Sequence, residues 1–166
     1  MNRVGRRAVV VGIGVCLAGC VGDENDADDA PSETRRRGPE VNGRELFHSR
    51  PLAFYEPDTG RPIADVHGHE EGASHWHFQP LEVPLDDERV VEAIVREYDE
   101  TQIPLGPDGE LTLSVAEDPG AFVEIEIDAE LVTFRGIDVG EGDVRFEVRG
   151  DRDDGWVTPA LTVEVA

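Results

Sequence analysis

Lysine is missing from this 166-residue chain: all 15 basic residues are arginine, against 37 Asp and Glu, for a net charge of −22. Neutralising phosphates takes clustered Lys or Arg, and the one cluster, Arg35-Arg36-Arg37, sits in a polar stretch, so nucleic-acid binding is excluded. Cysteine is scarce too. Cys16 and Cys20 both lie near the N-terminus, which leaves the rest of the chain without a thiol. Disulfides, thiol catalysis and cysteine-ligated metals, blue copper and iron–sulfur included, are excluded there. No glycine-rich phosphate loop, nucleophile elbow or Ser/His/Asp order is present. Carboxylates are too numerous for any pair to stand out as catalytic. The expectation is a non-enzyme.

Long apolar runs are also lacking. The uncharged stretch Ala8 to Ala18 falls short of the roughly 20 residues of a spanning helix, but it suits the h-region of an export signal behind Arg6-Arg7. Leu17-Ala18-Gly19-Cys20 resembles the cleavage and lipid-attachment site of prokaryotic lipoproteins, and Arg6-Arg7 looks like a twin-arginine pair. Residues 1–19 are then a signal peptide, with Cys20 lipidated and the protein held on the extracellular face of the cell membrane. The plainer alternative is a signal cleaved without lipid. Removing 1–19 takes away Arg3, Arg6 and Arg7, leaving 12 basic against 37 acidic residues, a charge of −25. Such self-repulsion is largely screened in molar salt, where the Debye length is about 3 Å. A lysine-free, acid-rich surface is what proteins of extreme halophiles look like.

Residues 20–43 are Asp, Glu, Asn, Pro, Ser and Arg with few large apolar side chains, a composition that predicts a disordered acidic tether. Residues 44–74 mix Phe47, Phe54 and Tyr55 with Pro51, Pro57 and Pro62 and predict an irregular, His-containing segment. From residue 75 to 166, short runs with period-2 alternation follow one another between Pro, Gly and Asp clusters. They are His75 to Val83, Val90 to Tyr98, Leu111 to Val115, Phe122 to Ile127, Leu131 to Phe134, Asp143 to Val148 and Ala160 to Val165. Val90 to Tyr98 also fits helical spacing, but its β-branched content favours strand. The fold class expected is all-β, an immunoglobulin-like sandwich of about seven strands.

The one constellation that carries chemistry is His67, His69, His75 and His77, two His-x-His pairs with Asp65, Glu70 and Glu71 beside them. On a strand, residues i and i+2 share a face, so each pair can turn two imidazoles toward one ion. Such ligands suit divalent transition metals, zinc or copper foremost. The bland alternative is a solvated loop whose histidines are incidental. His48 stands alone and reads as a surface residue. Arg149-Gly150-Asp151 reads as a turn rather than an adhesion motif, and Asp151, Asp153 and Asp154 do not have the spacing of a calcium loop.

Signal, tether and missing lysine together resemble twin-arginine-exported lipoproteins of haloarchaea. From Trp76 to Val165 the chain also resembles a loose group of exported Ig-like domains that open on His-Trp-His and end on a hairpin leading into a Thr-Pro strand, here Arg149 to Arg152 and Trp156 to Pro159. Some members carry histidines where this chain has Arg149 and Arg152, which puts half of any metal site shared by the group in doubt. Two functions are therefore expected: capture of a divalent metal ion at the cell surface, or a structural or interaction domain that docks an envelope protein.

Overall fold

The computed structural model describes residues 37–69, 73–152 and 154–166, which belong to one compact unit, Arg35–Ala166. The signal peptide, Cys20, most of the expected tether, and Glu70 and Glu71 lie outside the described residues. No helix forms among those described. The strands are β1 (Glu40–Val41), β2 (Arg44–Glu45), β3 (Leu52–Tyr55), β4 (Pro62–Gly68), β5 (Ser74–His77), β6 (Leu81–Val83) and β7 (Glu88–Arg96). They continue as β8 (Gln102–Ile103), β9 (Thr112–Glu117), β10 (Val123–Asp128), β11 (Leu131–Gly136), β12 (Gly140–Arg149), β13 (Gly155–Val157) and β14 (Leu161–Val165).

One sheet runs β10-β11-β7-β3-β4-β5, with β8 added to β7; the other is built around β12, which pairs with β9, β13 and β14, and β6 joins β14 in parallel. Both have an apolar face because their strands alternate. In β12, Val144, Phe146 and Val148 are buried while Asp143 and Arg149 are exposed. The apolar faces meet in a sandwich-like core. Phe54 of β3 stacks on Trp76 of β5 with centroids 5.1 Å apart, and Phe146 from the other sheet meets Phe54 edge-on at 5.3 Å.

Three expectations need correction. Residues 44–74 are not irregular: they supply β2, β3 and β4, two of them interior to the larger sheet. β3 hides this because Leu52, Ala53 and Phe54 are all fully buried, so a strand covered on both faces shows a solid apolar run instead of alternation. The tether does not reach Gly43. Asn42 and Gly43, at φ 57° and 75°, form the two-residue turn of the β1–β2 hairpin, and Val41 is buried. Lastly, His75 to Val83 is not one strand. Phe78 takes a positive φ of 61°, and the chain leaves the larger sheet after His77 to enter the other at Leu81. Strand pairing therefore extends well past the seven runs expected.

Candidate metal centre

β4 and β5 pair antiparallel at the end of the larger sheet, with Asp65 opposite His77, Val66 opposite Trp76 and His67 opposite His75. Alternation sends Val66 and Trp76 into the core and sends Asp65, His67, His75 and His77 to the outer face. Trp76 fixes this choice. Its ring is 1% exposed, and its indole N–H donates to the Pro159 carbonyl at 2.8 Å, tying the edge strand to the segment that leads into β14. With Trp76 committed inward, its two neighbours must face out.

All four histidines named from the sequence come together there. His67 lies 4.9 Å from His77 and His69 4.8 Å from His75, centroid to centroid, and His75 and His77 are 4.7 Å apart. His69 Nε2 and His75 Nδ1 approach to 3.1 Å, so one ring holds the proton and the other accepts it. Partial desolvation, then the neighbouring His77, His69 and His67, hold the His75 pKa below its ordinary value, because a cation there would be poorly hydrated and repelled. The rings do not, as they stand, form a cage. His67/His77 and His69/His75 stack with planes 14° and 15° apart, and in the second pair one nitrogen of each ring is taken up by the hydrogen bond between them. Accordingly, among the described residues no group of three or more His, Cys, Asp or Glu is arranged to hold a metal ion. A ligating set requires the rings to turn about their side-chain bonds.

Asp65 is the other notable group. It is only 2% exposed although it lies on the outer face, and its Oδ2 sits 3.4 Å from Arg50 Nε and 4.0 Å from His77 Nδ1. Its Oδ1 is buried with no hydrogen-bond partner. The only other such atom among the described residues is His48 Nδ1. His48 is thus half-buried, not the surface residue expected; its Nε2 meets Ser49 Oγ at 2.8 Å, and its carbonyl packs so tightly on Gly68 that a Cβ there would lie 2.5 Å from the oxygen. Arg50 was not legible as part of this neighbourhood, since nothing in its spacing ties it to β4. Asp65 was: Asp65-x-His67-x-His69 keeps strict period 2.

Of the weaker candidates, Asp153 lies outside the described residues, and Arg149 and Asp154 make local structural contacts. Arg149 Nη2 donates to Glu147 at 2.7 Å, and Asp154 Oδ1 accepts from the backbone N–H of Asn42 at 3.1 Å.

No family model matches the chain, and no curated protein matches it. Among solved structures it is similar to one described as the crystal structure of the S-layer protein SbsC domains 4 and 5, with 9% identity, 69% of this chain and 75% of that chain covered, and a TM-score of 0.33. A likeness that slight carries no argument about function.

Proposed function

We propose that this chain captures a divalent transition metal, zinc or copper, through His67, His69, His75 and His77, as a lipid-anchored protein of the extracellular membrane face. The observation that carries the reading is the register: His67 on β4 opposite His75 on β5, with His77 two residues along and His69 just past the end of β4, groups four imidazoles with neighbouring centroids under 6 Å apart in four of the five contacts. Imidazole is a ligand for both ions, and the chain offers it without competition from thiolate. The lipid anchor at Cys20, the haloarchaeal twin-arginine export route and the immunoglobulin-like character of the sandwich belong to the same reading. They rest on the N-terminal motifs, the absence of lysine and the alternating runs. Replacing Cys20 by Ser is expected to release the chain from the membrane fraction.

A second reading, a non-enzymatic structural or interaction domain of the envelope, is favoured by one observation: the rings stack in pairs without an ion, and His69 and His75 hydrogen-bond to each other. Calorimetry separates the two. Zinc and copper are titrated in molar KCl into the chain and into a variant with the four histidines changed to Ala. One-to-one binding tighter than about 1 μM, or roughly −8 kcal/mol, abolished in the variant, supports metal capture. Weak multi-site heats, equal in both, leave the envelope domain.

A further inference from the structure

We propose that Asp65 is the positioning residue of this cluster, fixing the His77 ring so that Nδ1 carries its proton and Nε2 is presented to the ion. The inference rests on metal capture as proposed above and adds the group that would orient one ligand. Asp65 and His77 are direct cross-strand partners on the face that carries the histidines. Among the described contacts of the four histidines, His77 is the one that faces a carboxylate, with Nδ1 4.0 Å from Asp65 Oδ2. That separation is too long for a hydrogen bond, so the role requires the ring to turn toward Oδ2. The same turn would take the His77 ring out of its 14° stack on His67.

Asp65 is built to wait for such a partner. A carboxylate has roughly four lone-pair positions, and among the described residues the one hydrogen bond Asp65 accepts is from Arg50 Nε, at 3.4 Å to Oδ2. Oδ1 is buried and unpaired. His77 Nδ1 faces the other oxygen, Oδ2, whose one contact from Arg50 is long, so that oxygen has acceptor capacity to spare for an approaching N–H. The Arg50 guanidinium lies beside this nearly buried carboxylate, and a carboxylate that accepts from Nδ1–H orients an imidazole and raises the basicity of its distal nitrogen.

Two measurements on the full chain test this with zinc chloride as the probe. In the ¹⁵N-labelled wild type saturated with zinc, long-range nitrogen–proton correlation is expected to show His77 bound through Nε2 with Nδ1 protonated; zinc on Nδ1 overturns the proposal. Asp65→Asn is expected to weaken zinc binding about 10-fold or more in the wild-type background, yet change it less than about 2-fold in a His77→Ala background, because the residue acts through His77. An equal loss in both backgrounds overturns the proposal and makes Asp65 a purely structural carboxylate. Should Asp65→Asn fail to fold, the wild-type nitrogen assignment decides alone. A wild type that takes up no zinc overturns metal capture itself, whereas uptake with the wrong His77 nitrogen overturns only the role of Asp65.

Discussion

Trp76 and the two histidines beside it show how one short strand serves core and surface together. The indole stacks on Phe54, reaches Phe146 at 6.4 Å and donates across to Pro159, so it holds β5 against the other sheet. Trp76→Phe keeps most of the apolar contact but leaves the Pro159 carbonyl without this donor and opens a small void. The expected cost is about 1–3 kcal/mol, read as a lower denaturant midpoint with an unchanged slope. A midpoint equal to wild type would mean that β5 is held elsewhere. His75 makes a second prediction, about protons. Its folded pKa lies below the ordinary value of 6.5, so the unfolded chain binds this proton first as pH falls. The corresponding stability is intact above about 6.5 and is lost below it, as the pH descends toward the folded pKa. Thermal melts of the metal-free chain between pH 7.5 and 5.5 should therefore fall with acidification, and His75→Gln should flatten the slope. An identical slope in the variant would assign it to other groups.

Along β12, the strand that organises the smaller sheet, β13 and β14 follow one another on the same edge, with the register advancing by one residue between Val157 opposite Glu147 and Leu161 opposite Val144. Thr158 bridges that irregularity. Its backbone N–H donates to Phe146 O at 2.8 Å, while its hydroxyl accepts from Phe146 N at 3.0 Å, and both ends are buried. Thr158→Val keeps shape but leaves the Phe146 N–H unpaired, at an expected cost of about 1–3 kcal/mol. Thr158→Ser, which keeps the oxygen, should cost clearly less in the same unfolding titration; parity between the two would remove the hydroxyl from the account. The elements that could be read from sequence are those exposed on one face. β7, β10, β11, β12 and β14 alternate cleanly, and each falls within a residue or a few of the expected run. β3 was illegible because both its faces are buried, and β4 because Pro62 at its start and Gly68 at its end are residues that read as loop. Of the site, the four histidines and Asp65 could be named from spacing alone. Arg50 and the stacking of the rings could not, since both depend on which segment lies over the outer face.

On the scale of the whole molecule, the dominant quantity is charge. Arginines reach carboxylates across strands: Arg44 pairs with Glu97 and Glu110, Arg145 with Glu117 at 2.9 Å, and Arg135 with Glu88 at 2.5 Å. Exposed pairs of this kind contribute little each, about 0–1 kcal/mol, and they engage only a fraction of the 37 acids against 15 bases. Most of the negative charge is therefore mutual repulsion, carried on outward positions such as Glu82, Glu126 and Glu141, which alternation keeps out of the core. Screening weakens repulsion at long range more than it weakens the close arginine pairs, because the Debye length falls from about 10 Å at 0.1 M to about 3 Å at 1 M salt. The folded state should gain stability over that range, with the thermal midpoint rising as KCl increases. Salt also acts on apolar burial, so the discriminating variant changes Glu82, Glu126 and Glu141 to Gln, removing three negative charges without touching the core. If repulsion is the cause, the variant is more stable than wild type at 0.1 M KCl, and the two midpoints converge at molar salt. Parallel curves with a constant offset would instead assign the salt response to burial of apolar surface and leave the acidity of this chain without an energetic role in its fold.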